Sequence, residues 1–337
     1  MILLRYNNVG WAQVKKILTL IIMTIVSLSV TSCINDPGSY NVYVTVYPMK
    51  YVVEEIFEGT GYTVDIVPGV TSHETSVDWS PKEIIAMTEA TYMFYVGANY
   101  DYYIDSQINS IFTRKDVELV KIEDETNYIE FINGVVHTHE DEGQEEILDE
   151  TLLGVDPHFW ISPLKVQQAA ALIYDKLVLK FDDPEDLMKN NYLNLVAELQ
   201  DLSDAFTEAI SNSDNKIIMT STNIYGYLKA DYGLEYISIS PGYHEETEQF
   251  TSQEKEEIVN HAVENNIKYI IYELHTTSPL SNSVFTELED RGLEPIKVEY
   301  NILQALPDDE IVKGNDYITC MYDNLEILKL AFGYQSE

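Results

Sequence analysis

Asp183-Pro184-Glu185-Asp186 stands ahead of a run in which Tyr192, Leu195, Val196, Leu199, Leu202, Phe206 and Ile210 recur at helical spacing. That spacing puts them on one face of an α-helix, and the proline and acidic residues before it suit a helix start. The pattern predicts an unbroken helix over 184–212, roughly 40 Å long at 1.5 Å per residue. A helix of that length fits a spine between two lobes.

On both sides of this run, short β-branched or aromatic stretches alternate with helical patterns, the signature of βα units around parallel sheets. Before it, strands are predicted at 42–47, 63–67, 91–96 and 119–122, with helices at 51–58, 81–88 and 105–113. Ser162-Pro163 is an N-cap and first-turn pair, and Val166, Ala169, Ala170, Ile173 and Leu177 follow at helical spacing. After the spine, strands are predicted at 217–220, 236–239, 269–272 and 296–298, and helices at 226–232, 252–265, 279–292 and 317–332. The fold class is α/β: two parallel-sheet βα lobes joined by a long spine helix, with a ligand cleft between them. About 300 residues exceed what one core usually holds, which agrees with two lobes.

At the N-terminus, Lys15-Lys16 precede an apolar run over 17–30, and Val30-Thr31-Ser32-Cys33 follows. The run is short of the ~20 residues a membrane-spanning helix needs, so it reads as a secretion signal with a lipobox. Cys33 is then the lipid attachment point, and its two acyl chains suffice for stable anchoring. The predicted organisation is a signal peptide over 1–32, a lipidated tether over 33–40, an N-terminal βα lobe over 41–183, the spine over 184–212 and a C-terminal βα lobe over 213–337. With Cys33 lipidated only Cys320 remains, so no disulfide forms within the exported chain. The expected location is the extracytoplasmic face of the cell membrane.

The chain carries 57 acidic against 20 basic residues, for a net charge of −37. Such a surface repels phosphate backbones and excludes nucleic acid as a partner, while it attracts cations.

The segment Gly154-Val155-Asp156-Pro157-His158-Phe159-Trp160-Ile161-Ser162-Pro163 sets one histidine between two proline-bounded turns beside an aromatic shelf. That is the setting of a metal ligand on a rigid loop. Upstream, Val135-Val136-His137-Thr138-His139-Glu140-Asp141-Glu142 places His137 and His139 among carboxylates, which suits weak capture of divalent cations.

Taken in order, these pieces resemble the substrate-binding lipoproteins of zinc- and manganese-uptake ABC transporters, a family with a long spine helix. The resemblance runs through Val46-Tyr47-Pro48, Pro68-Gly69-Val70-Thr71-Ser72-His73, Ser80-Pro81-Lys82-Glu83-Ile84 and Tyr95-Val96-Gly97-Ala98. It continues through the histidine-bearing acidic loop, Asp156-Pro157-His158-Phe159-Trp160, Ser221 to Tyr227, and Asp231-Tyr232-Gly233-Leu234. It implies a metal held between the lobes by one ligand from each of four loops, the first two being His73 and His158. The segment after His73 is longer than the family spacing. Where the family places a histidine or glutamate as third ligand this chain has Thr222, and where some branches have a fourth carboxylate it has Asn301 and Gln304. Two imidazoles with neutral oxygens leave a divalent charge uncompensated, which predicts weaker affinity unless other residues step in. The substitutes are His244, in Gly242-Tyr243-His244-Glu245, and Glu273 with His275, in Tyr272-Glu273-Leu274-His275.

The implied function is capture of Zn²⁺, or alternatively Mn²⁺, by a monomeric lipid-anchored protein that delivers it to an ABC permease. The alternative is a surface adhesin or interaction module of the same fold with weakened or lost metal binding, motivated by Thr222, Asn301 and Gln304. A hydrolase built on His73, His158 and Glu273 finds little support, because no His-Glu-x-x-His helix, Gly-x-Ser-x-Gly elbow or phosphate-binding glycine loop is present. The chain reads as a binding protein rather than an enzyme.

Overall fold

Val42–Val44, with every side chain buried, forms β1 and seeds the first of two parallel sheets. The structure, a computed structural model, describes residues 40–70, 77–113, 115–135, 153–213, 217–243 and 251–333. Cys33, His73, His137, His139 and His244 lie outside the described residues.

β1 is flanked by β2 (Val64–Ile66) and β3 (Tyr92–Tyr95), and β4 (Glu118–Lys121) completes the order β2-β1-β3-β4, all parallel. The second sheet contains β7 (Ile217–Thr220), β8 (Glu235–Ser238), β9 (Tyr269–Glu273) and β10 (Ile296–Tyr300) in the order β10-β9-β7-β8, again all parallel. Within each sheet the first and third strands in sequence are neighbours, with the second and fourth outside them. The two lobes therefore share one strand order. Each has a switch point between its first and third strands, where open α/β sheets gather ligands at the carboxyl edge.

The predicted first strand is too long and the first helix too late. Val46 is the last extended residue, and Pro48 in the first turn lets α1 (Tyr47–Phe57) begin directly after it. α2 (Pro81–Glu89) opens on a capping box between Ser80 and Glu83. In place of the helix expected over 105–113 there is a short helical turn, Tyr102–Asp105, and a π-helical turn, Ile108–Phe112.

β5 (Asn133–Val135) and β6 (Leu153–Val155) pair antiparallel, a ribbon that the sequence pattern did not announce because each strand is only three residues long. α3 (Pro163–Leu177) follows with Ser162 accepting from the Lys165 N–H at its N-cap. The spine, α4 (Leu187–Ser211), starts a few residues later than the pattern suggests. Asp186 takes a left-handed φ of 53°, and the Asp183 carboxylate reaches forward to accept from the Met188 and Lys189 N–H groups at 3.1 and 3.2 Å. Of the predicted apolar face, Leu195, Leu199, Leu202, Phe206 and Ile210 are buried, while Tyr192 and Val196 sit at its margin.

The remaining helices are α5 (Gly226–Tyr232), α6 (Ser252–Glu264), α7 (Pro279–Asp290) and α8 (Tyr317–Phe332), with a short five-residue helix, Asp308–Val312, between the last two. One apolar core runs from Val44 and Phe94 of the first sheet, through α1, α3 and the spine, to Ile218 and Ile271 of the second sheet and Leu325 of α8. Two smaller clusters cover the other sheet faces, one around Met93 and Met87, the other around Ile270 and Val284. A shared central core resists hinging between the lobes, because parting them would expose its packed side chains to water. Among the described residues no helix is long and apolar enough to cross a membrane.

Candidate metal site between the sheets

Asp156-Pro157-His158 leaves the end of β6 and enters a 3₁₀ turn, Phe159–Ile161, that leads into α3. Asp156 Oδ1 sits 2.9 Å from the His158 ring nitrogen Nδ1 and also accepts the His158 backbone N–H at 2.9 Å. One carboxylate oxygen thus holds both the turn and the ring. With Asp156 ionised, Nδ1 carries the proton and the imidazole lone pair lies on Nε2, the arrangement carboxylates impose on metal-binding histidines. The Asp156 carbonyl is held in turn by the Tyr227 hydroxyl at 2.7 Å.

The His158 ring is only 2% exposed. Three aromatic rings surround it: Tyr243 at 4.6 Å, Trp160 at 5.3 Å and Tyr100 at 6.4 Å between centroids. Trp160 is fixed at both ends, donating from Nε1 to the Ile302 carbonyl at 2.9 Å and accepting at its own carbonyl from the Tyr317 hydroxyl at 2.8 Å. Tyr100 is presented by the loop after β3, where Ala98 and Asn99 both hold positive φ and the Ala98 N–H donates to Glu123 at 2.7 Å. Next to it Asp101 is fully buried and accepts from the Gly97 N–H at 3.1 Å and the Tyr103 hydroxyl at 3.3 Å. Burial pushes the Asp101 carboxyl up to about 7, against the pull of those hydrogen bonds.

In the second lobe Thr222 follows β7 and Glu273 ends β9, so the central pair of the sheet brings them together at its carboxyl edge. The Thr222 hydroxyl donates to the Glu273 carboxylate, and both side chains are buried. The threonine therefore holds a carboxylate in place. Their loop is strapped to the one that carries Tyr243: the Asn223 N–H donates to the Gly242 carbonyl at 2.9 Å, and the Ser240 N–H to the Ser221 carbonyl at 2.9 Å.

Asn301 and Gln304 are placed differently. Asn301 Oδ1 accepts the Leu303 N–H at 3.0 Å within its own turn, and the Asn301 backbone exchanges two hydrogen bonds with the Asn324 side chain. Both amides line an open cavity of about 780 Å³ with His275, Glu299 and Asp323, and neither His158, Thr222 nor Glu273 belongs to its lining. Gln304 also reaches Tyr100, beside the histidine. Among the described residues no group of three or more His, Cys, Asp or Glu is gathered to hold a metal. Of the sequence-named candidates among the described residues, the His158 imidazole in the first lobe and the Glu273 carboxylate in the second are buried beside hydrogen-bond partners that hold them.

Sequence reasoning named His158, Thr222 and Glu273 as candidates but not the residues that surround them. The signal for Asp156 was present in the Asp-x-His spacing, which lets a carboxylate fold back onto the next ring but one. Nothing local marked Tyr243 or Tyr100, whose roles come from distant parts of the chain.

Residues 42–331 match the model of the family described as zinc-uptake complex component A, periplasmic. The chain is 24% identical over 323 residues to the zinc-binding lipoprotein AdcA of Streptococcus pneumoniae, covering 93% of itself and 60% of that protein. It is 26% identical over 301 residues to the high-affinity zinc uptake system protein ZnuA of Bacillus subtilis, covering 86% of each. It also shares the fold of the Zn(II)-bound ZnuA-like domain of Streptococcus pneumoniae AdcA, with a TM-score of 0.65 at 23% identity, over 88% of this chain and 99% of that domain. The match extends from β1 nearly to the end of α8 and takes in both like-ordered sheets and the spine that joins them, so the chain belongs to the zinc-uptake complex component A family.

Proposed function

We propose that this protein captures zinc between its two lobes and passes it to an ABC permease, held at the outer face of the membrane by lipid on Cys33. The observation that carries this is the buried imidazole of His158, a nitrogen donor suited to zinc, held by Asp156 at 2.9 Å inside an aromatic wall. Its chemistry favours Zn²⁺ over Mn²⁺, which takes more oxygen ligands. His73 is the second first-lobe ligand. Glu273 supplies from the second lobe the negative charge that Thr222, Asn301 and Gln304 cannot, and Thr222 acts by orienting it. His244 directly follows Tyr243 and is the remaining imidazole candidate. His137 and His139 assist by weak capture in the acidic loop. The role is binding and delivery by a monomer, with no chemical step.

The test is zinc content and affinity of the chain from Ile34 onward, by elemental analysis and chelator competition, beside His158→Ala. About one zinc per chain, lost in the variant, is the expected result. If zinc at 100 times the expected Kd fails to add the roughly 2.7 kcal/mol that a bound ligand confers, capture is excluded and the surface interaction module of the same fold takes its place.

A further inference from the structure

Of the three rings around His158, two are built into the wall. Trp160 is bonded through its indole and its carbonyl, and Tyr100 is fully buried beside Gln304. Tyr243 differs in origin. It ends the described part of the loop after β8, in the opposite lobe, and lies edge-on over the imidazole at 4.6 Å with an interplanar angle of 62°.

The backbone under Tyr243 is anchored while its side chain spans to the first lobe. Asn223 grips the loop twice, by its N–H to the Gly242 carbonyl at 2.9 Å and by its amide to the Pro241 carbonyl at 3.0 Å. The phenol end seats against β5, where a Cβ on Gly134 would stand 2.1 Å from Tyr243 Oη and 2.7 Å from Asp156 Cβ. The φ of Gly134 is not positive, so the glycine serves close approach and not a turn. A socket without a side chain therefore receives a ring that closes over the candidate ligand.

We infer that Tyr243 is the gate of the cation site. With its ring down, Tyr243 packs over His158 as part of the shared core; rotation of the side chain about its anchored Cα uncovers the imidazole by moving one core ring rather than the two lobes. This rests on the zinc-capture reading and adds to it which group sets the exchange rate. A gate of this kind acts on entry and exit together, so it moves rates more than affinity.

The experiment is stopped-flow zinc association, and dissociation into excess chelator, on the full chain and on Tyr243→Ala and Tyr243→Phe. Carbethoxylation of His158 by diethylpyrocarbonate, read by mass spectrometry on the metal-free proteins, runs alongside. Tyr243→Ala is expected to raise both rates about tenfold with Kd moving less than about threefold, and to speed carbethoxylation about tenfold. Tyr243→Phe keeps the covering ring and is expected to behave as the parent. Tyr243→Leu, which keeps an apolar side chain but removes the covering ring, is expected to speed exchange in the same direction and covers the case in which Tyr243→Ala does not fold. Unchanged rates, or a faster dissociation alone, overturn the gate and leave zinc capture standing. Zinc binding by none of the proteins overturns the capture reading and the gate together.

Discussion

Gly226 presses its Cα against the carboxylate of Asp156: a Cβ there would stand 2.8 Å from Oδ2, while Oδ1 of the same group holds the His158 ring. The first residue of a second-lobe helix thus sets the position of the carboxylate that orients a first-lobe imidazole. Gly226→Ala is expected to push the carboxylate off Nδ1 and weaken zinc binding about 10- to 100-fold, the usual effect of losing an outer-shell partner. Chelator competition measures it. An unchanged Kd would show that the Asp156 contact does not matter for binding.

Thr222 and Glu273 form a buried pair, and the two substitutions separate holding from ligating. Thr222→Val leaves a buried carboxylate without its hydroxyl donor and is expected to cost about 1–3 kcal/mol of metal-free stability. Glu273→Gln keeps the shape, removes the charge, and is expected to lower zinc affinity. Urea unfolding and chelator competition on both variants read the two effects. Full zinc affinity in Glu273→Gln would reduce Glu273 to a structural carboxylate.

Lys165, in the first turn of α3, lies 3.5 Å from Asp231 of α5, and Asp231 also accepts the Ser162 hydroxyl at 2.6 Å. Both charged side chains are about nine-tenths buried. Removing one partner of such a pair strands the other, so Asp231→Ala is expected to cost about 3–5 kcal/mol, seen as a lower urea midpoint at unchanged slope. A loss below about 1 kcal/mol would place the pair with exposed ones.

Asp101 gives a pH dependence of known sign. Its carboxyl, pushed by burial from 3.8 to about 7, keeps a proton in the folded chain that the unfolded chain has already released. Across that window the folded state binds more protons, so this residue makes stability fall as pH rises, and its favourable contribution is complete only below the unfolded value. Asp101→Asn cannot titrate and is expected to show a shallower decline in urea midpoint between pH 4 and about 7. Parallel profiles for the two proteins would refute this.

Much of the architecture was legible because it is written in short-range periodicity. Leu195, Leu199, Leu202 and Phe206 mark one helix face whatever surrounds them, and Ser162-Pro163 marks a helix start by local geometry alone. Strands 217–220 and 269–272 are legible by the same kind of signal, since a run of β-branched and aromatic residues fits a buried parallel strand. Boundaries were less legible. Pro48 pulled α1 forward into the predicted strand, and the left-handed Asp186 delayed the spine, both through single-residue conformations that periodicity averages away.

The candidate site divides along the same line. By itself the sequence determined an α/β chain with a spine, and singled out His158, Thr222 and Glu273 as the residues to ask about. Only the tertiary structure decided that Asp156 orients His158, that Thr222 serves Glu273, that Asn301 closes its own turn, and that Tyr243 lies over the imidazole. The physical reason is sequence separation. Tyr243 and His158 meet across 85 positions, Thr222 and Glu273 across 51, and such contacts depend on strand order and on glycines such as Gly134 that leave room for them, not on the residues beside them in the chain.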